Sequence, residues 1–286
     1  MAVHPDRHFV TADWLSRHIG DPDVAVVDGS WHMPATGRSG RAEYLAGHIP
    51  GAVFFDLDAI ADTTSPLPHM LPTPDAFAAA VGALGIRDGA TIVVYDSVGL
   101  FSAPRVWWSF RIMGAHDVVL LDGGLPAWIA AGLPLEAGEP APAPATFAAR
   151  FDPTPVRNFD EVKAALGGPA QIVDARSPGR FSGREPEPRA GLRSGHMPGA
   201  INLPYGELID DGRLKSAADL RALFAARDID PLRPVIASCG SGVSAAVIAL
   251  ALDVIGASDV AIYDGSWTEW GGRSDSSVEG SSVGGG

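Results

Sequence analysis

One cysteine, Cys239, is the only thiol in 286 residues, which excludes an intramolecular disulfide and any multi-cysteine zinc site. That thiol is either packing material in a core, where free cysteines are commonly found, or a reactive group. Long apolar runs are missing as well: no stretch reaches the roughly 18–20 residues needed to cross a bilayer. The opening residues, MAVHPDRHFV, lack the basic-then-apolar layout of a secretory signal, which points to the cytoplasm. Positive charge is in deficit, with 21 Lys and Arg against 34 Asp and Glu and a net charge of −13. Nucleic acids and anionic membranes both call for a basic face, so neither is an expected partner. A small anionic substrate stays open, because it feels a local group of arginines more than the global sum. The remainder, 46% apolar and 19% charged, is an ordinary globular composition, long enough for one large domain or two of common size.

What is present is a repeat. GHIPGA at 47–52 recurs as GHMPGA at 195–200, and an apolar strand ending in aspartate lies upstream of each copy, closing at Asp28 and Asp174. Downstream, VVLLDGGLPAW (118–128) matches VAIYDGSWTEW (260–270). Three blocks in one order at nearly one spacing mark a duplicated domain, since a period of about 145 residues is far too long for a solenoid. The division expected is a first domain over 1–138, a linker over 139–157, a second domain over 158–272 and a flexible tail over 273–286. Alternating Pro and Ala make the linker a semi-rigid spacer. The tail, SDSSVEGSSVGGG, holds too little apolar surface to offset its ordering entropy.

Within each half, short apolar runs alternate with helical patterns. Strands are expected at 24–27, 92–95, 118–121, 171–173, 235–238 and 260–263, and helices at 74–84, 103–113, 159–166, 217–226 and 243–255. Thr73 before Pro74, Asn158 and Ser216 supply helix starts. The fold class is α/β: two tandem domains, each a mainly parallel sheet flanked by helices. Ligands of such sheets sit beyond the carboxyl ends of the strands, and Cys239 falls at one of those ends.

From Cys239 the chain continues Gly240, Ser241, Gly242, Val243, Ser244, Ala245. Two glycines let the backbone curl so that successive amides form an anion-binding nest, and the helix that follows adds its positive N-terminal end. Cysteines at such positions favour the thiolate. A phosphatase loop of this kind ends in Arg six residues after the cysteine, where Ala245 stands here. A thioredoxin-like pair needs a second cysteine, and nothing supports a cysteine protease.

Taken together, GHIPGA and GHMPGA, HMLP (69–72), APRVWWSFRIMG (103–114), GREPEPR (183–189), CGSGVSA (239–245) and DGSWTEW (264–270) make the chain resemble the two-domain rhodanese-like sulfurtransferases over about residues 8–272. The resemblance implies similar folds in both halves, a nucleophile in the second alone, and no metal or organic cofactor. In the first half Asp96-Ser97 is expected where the second has Ser238-Cys239. The neutral loop Gly240-Ser241-Gly242 looks like the mercaptopyruvate type, whereas thiosulfate-using relatives carry basic residues there. The implied partners are 3-mercaptopyruvate as small-molecule sulfur donor and a thiol acceptor such as thioredoxin or a small thiol. Thiosulfate:cyanide transfer and a non-catalytic sulfur carrier are the alternatives.

The donor's carboxylate and carbonyl require cations outside the loop. By resemblance these are Arg180 and Arg189, while Arg176, Arg184 and Arg193 are read as incidental arginines of a solvated loop. Gly240, Gly242, Val243 and Ser244 complete the substrate-binding set around Cys239. Ser241 either donates to the substrate and moves a proton or is simply a small turn residue. The resemblance suggests a relay pairing Ser241 with His48, although Arg38-Ser39-Gly40 stands where relatives tend to carry the acid. His48 and His196 equally suit a bracing role in the turn before Pro-Gly. Trp31, Trp107 and Trp108 are expected as core or domain-interface aromatics.

Overall fold

The computed structural model describes residues 7–280. The chain divides into two units: one holds the chain to Thr63 with Leu71–Asp152 and Asp211–Leu214, the other Thr64–Met70, Pro153–Asp210 and the chain from Lys215 onward. A linear division assigns Thr64–Met70 to the first half and Asp211–Leu214 to the second, and contacts group both the other way.

The first unit carries β1 (Phe9–Val10), α1 (Ala12–His18), β2 (Val24–Asp28), α2 (Gly40–Ala46), β3 (Val53–Phe54), α3 (Pro74–Ala83), β4 (Thr91–Tyr95), α4 (Ala103–Ile112), β5 (Val118–Leu121) and α5 (Gly124–Ala130). Its sheet runs β1-β5-β4-β2-β3, parallel throughout. Later in the chain come β6 (Val156–Arg157), α6 (Phe159–Ala165), β7 (Gln171–Asp174), α7 (Pro178–Phe181), β8 (Ile201–Asn202), β9 (Ile209–Asp210), β10 (Arg213–Leu214), α8 (Ala217–Ala226), β11 (Val235–Ser238), α9 (Ala245–Val254), β12 (Val260–Tyr263) and α10 (Ser266–Trp270). The second sheet, β6-β12-β11-β7-β8, is also parallel and repeats the order of the first.

The central strands TIVVY, VVLL and VIAS are buried at every position, the continuous apolar pattern of a parallel sheet covered on both faces. The expected helix starts hold. Thr73 accepts from Ala76 N at 3.3 Å, Asn158 forms a capping box with Glu161, and Ser216 accepts from Asp219 N at 3.2 Å. Trp107 and Trp108 lie in the core of the first unit, whereas Trp31 is half-buried with its indole N–H on the Asp58 carboxylate.

Two expectations change. The Pro/Ala spacer is not free-standing: Ala145 N donates to Gly82 O at 2.8 Å, Arg150 N to Met113 O at 2.8 Å, and Phe147 is buried. These bonds lay it along the first unit. The expected flexible tail is ordered through residue 280, because apolar surface is not its only anchor. Ser276 is buried with its hydroxyl on Trp270 O, and His196 and Glu279 exchange backbone bonds of 2.7 and 2.9 Å. Residues 281–286 lie outside the described residues.

At the end of β2, Asp28 accepts from Ser30 N at 2.8 Å. Burial pushes its carboxyl up to about 6, against the hydrogen bonds from Ser30 and Tyr95. A carboxyl raised on folding adds stability below its unfolded value and loses it as pH rises through its folded value. Asp28→Asn is therefore expected to gain stability relative to the parent as pH rises from about 4 to 7, approaching ~3 kcal/mol in the first unit. Calorimetry across that range checks it, and a difference that stays constant with pH would count against the buried charge.

Candidate active site

Strand β11 ends at Ser238, opposite Asp174 of β7, and delivers Cys239 to the carboxyl edge of the sheet with 2% of its surface exposed. The β12–α10 turn fixes the backbone there. Ser266, held at φ 48°, accepts from Cys239 N at 3.2 Å and donates to Tyr263 O at 2.8 Å. Trp267 N donates to Cys239 O at 3.0 Å, and Thr268 donates to Gly240 O through both its amide (2.9 Å) and its hydroxyl (2.7 Å). This is what the DGSWTEW block does physically: it anchors the loop that carries the thiol.

The loop curls as the glycines require, with Gly242 at φ 78°. Regular helix starts at Ala245, two residues later than the apolar run suggests, because the first turn is tightened by Ala246 N→Val243 O and Val247 N→Ser244 O bonds of 3.2 and 3.1 Å. Among the described residues, the amides of Ser241, Val243, Ser244 and Ala245 donate to no protein acceptor. Such a run beside a helix start is available to an anion. Val243 is buried, and Gly240 and Ser244 are partly exposed.

The histidine bonded to Ser241 is His69, not His48. His69 Nδ1 lies 2.9 Å from Ser241 Oγ, both residues are buried, and His69 sits at φ 60°. His48 is instead wholly buried within the first unit, its Nδ1 on Tyr44 O at 2.8 Å and its ring stacked 4.1 Å from that of Tyr44. This is the bracing role. His196 does the same in the second copy, with Nδ1 on Phe181 O at 2.8 Å and its ring 3.9 Å from that of Phe181.

Arg180 reaches the loop. A Cβ on Gly240 would lie 3.1 Å from Arg180 Nη2, so the glycine leaves room for the guanidinium. Arg180 pairs with Glu187 through Nε (3.2 Å) and Nη2 (2.5 Å), and Nη1 has no protein partner among the described residues. Arg189 is partly exposed, two residues beyond Glu187. Arg176 corrects the solvated-loop reading. Its guanidinium is fully buried, bonded to Asp174, Glu187 (2.7 Å) and Gly195 O (2.8 Å), and stacked 4.1 Å from the Trp267 ring centre. Burial works against this charge, but the carboxylates of Asp174 and Glu187 more than offset it, so the group is held above its ordinary range. Arg193 is also structural, capping Gly271 O and Ser276 O at 3.1 and 2.8 Å. Arg184 alone is an exposed loop residue, on Ser182 Oγ.

The first unit shows what its equivalent loop has become. Tyr95 pairs with Asp28 as Ser238 pairs with Asp174, and Leu125 N donates to Asp96 O as Trp267 N does to Cys239 O. The counterpart of Cys239 is therefore Asp96 and not Ser97, one residue off the alignment expected from sequence. The Asp96 carboxylate fills its own loop, accepting from Val98, Phe101, Ser102 and Ala103 amides at 3.0, 2.7, 2.9 and 2.9 Å.

Glu187, His69, Ser266 and Thr268 carry no role in the sequence reading. HMLP, DGSWTEW and GREPEPR mark them only as members of blocks.

The model of the rhodanese-like domain matches residues 11–131 and again 158–273. The chain is 47% identical over 273 residues to the 3-mercaptopyruvate sulfurtransferase of Escherichia coli (strain K12), covering 95% of this chain and 97% of that one. It is 44% identical to the Homo sapiens enzyme of the same name, with 92% of each chain covered. The crystal structure of SseA from Escherichia coli, a 3-mercaptopyruvate sulfotransferase, superposes with a TM-score of 0.85 at 45% identity, over 92% of this chain and 99% of that one. The chain belongs to the rhodanese-like family and contains two such domains in tandem.

Proposed function

We propose that the protein is a sulfurtransferase that takes sulfur from 3-mercaptopyruvate through a persulfide on Cys239. The observation that carries this reading is the Arg180 guanidinium lying over Gly240, the residue after the thiol, in a loop where the Ser241, Val243, Ser244 and Ala245 amides donate to no protein acceptor among the described residues. An α-keto carboxylate needs a planar cation outside a neutral loop, and Arg180 supplies one edge of such a fork. Arg189 serves the donor's carbonyl.

The chemistry has two half-reactions. The Cys239 thiolate attacks the donor sulfur; the S–S bond forms as the C–S bond breaks, and the electron pair leaves as the enolate of pyruvate. Ser241, bonded to His69, passes a proton to that enolate. The loop amides hold the anionic persulfide until a small thiol or reduced thioredoxin attacks the outer sulfur and restores the thiolate. This sequence is ping-pong.

Intact-mass measurement after incubation with 3-mercaptopyruvate is expected to show a gain of one sulfur atom per chain. The same protein should give a higher kcat/KM with 3-mercaptopyruvate than with thiosulfate. A preference for thiosulfate would reassign the donor, and no mass gain with either would end the persulfide reading.

A further inference from the structure

Arg180 is the visible end of a buried chain of alternating charge, Asp174–Arg176–Glu187–Arg180. Exposure falls from 16% at the Arg180 side chain to 2% at Glu187 and 0% at Arg176 and Asp174. Glu187 is the hinge of this chain. Its Oε1 accepts from Arg176 Nη1 at 2.7 Å and Arg180 Nε at 3.2 Å, and its Oε2 accepts from Arg180 Nη2 at 2.5 Å.

A guanidinium is a planar fork of five N–H donors. Glu187 takes the Nε edge, which fixes the plane and leaves the Nη1 end directed elsewhere. Arg176 holds Glu187 in turn, and is itself immobilised by Asp174, Gly195 O and the Trp267 ring.

We propose that Glu187 is a positioning residue that orients Arg180 for end-on recognition of the donor carboxylate. The inference rests on the reading of Arg180 as the donor's carboxylate partner. Two physical effects of Glu187 oppose each other. Its charge offsets that of Arg180, so on charge alone its removal would tighten binding of an anion. Its geometry presents the fork, so on orientation its removal would weaken binding. Bidentate recognition of a carboxylate depends on the direction of both N–H bonds, and orientation wins here because Arg180 is already partly desolvated and has no second anchor among the described residues.

The test is steady-state kinetics with 3-mercaptopyruvate for the parent, Glu187→Gln, Arg180→Ala and the double variant. Glu187→Gln is expected to raise KM about tenfold and change kcat less than about twofold. Arg180→Ala should raise KM about a hundredfold, and the double variant should match Arg180→Ala in KM, because Glu187 touches the donor only through that side chain, its bond to Arg176 bearing on folding. An unchanged or lower KM in Glu187→Gln, or a further rise in the double variant, overturns the proposal. An unchanged KM in Arg180→Ala removes the reading of Arg180 itself, a distinct failure. Should Glu187→Gln not fold, Glu187→Asp keeps the charge beside Arg176 but withdraws the carboxylate by one methylene. Its KM should still rise, and no rise overturns the proposal.

Discussion

Cys239→Ser will lose sulfur transfer almost entirely, with kcat/KM for 3-mercaptopyruvate falling at least about ten-thousand-fold. The substitution changes one atom. The bonds that fix the residue run through its backbone, to Ser266 and Trp267, and serine keeps both. What disappears is the sulfur atom, the one able to form a bond to a second sulfur. A hydroxyl in the same loop would face the same amides without the nucleophile. The variant should therefore fold, bind the donor and gain no mass. Measurable turnover in Cys239→Ser, or a sulfur adduct elsewhere on the chain, would require a different nucleophile, and no other cysteine exists to supply it.

Arg176→Met will destabilise the second unit by about 3–5 kcal/mol, the cost of breaking a buried ion pair by removing one partner. The loss leaves the Asp174 and Glu187 carboxylates facing each other across a space from which water is excluded, with side-chain exposures of 0% and 2%. Arg176→Lys keeps the charge but cannot reach Asp174, Glu187 and Gly195 O together, and should fall between parent and Arg176→Met. Urea unfolding followed by tryptophan fluorescence reads both, since Trp267 lies under the guanidinium. A change below about 1 kcal/mol in Arg176→Met would mean that the pair is solvated in solution and the buried chain of charge is not maintained.

Much of the fold was legible because its central strands are four or five residues long and mostly apolar, and because Thr73, Asn158 and Ser216 cap helices between them. The edge strands Phe9–Val10, Val53–Phe54, Val156–Arg157 and Ile201–Asn202 were not, because two residues establish no periodicity. The site divides in the same way. The Cys239 loop is contiguous and carries its own geometry in its glycines. The bond from Ser241 to His69 spans 172 residues, and nothing near His69 announces it. Glu185 and Glu187 are adjacent members of one EPEPR run, yet the first is exposed beside Ser177 and the second is buried between two arginines. Burial is a property of the assembled sheet, and the same limit turned Arg176 into an expected surface residue. The one-residue shift between Asp96 and Ser97 arose because only ladder register distinguishes them.

The carboxylate of Asp96 has a consequence for what the duplicated chain can evolve. A donor anion approaching the first copy must displace a carboxylate tethered to the same backbone, which competes without any cost of association. Exchanging Asp96 for cysteine would not restore reactivity either, since four amides that now share two oxygens would lose their acceptors and a single sulfur could satisfy few of them. The loop of the first half is thus filled from inside, and emptying it would take more than adding a thiol.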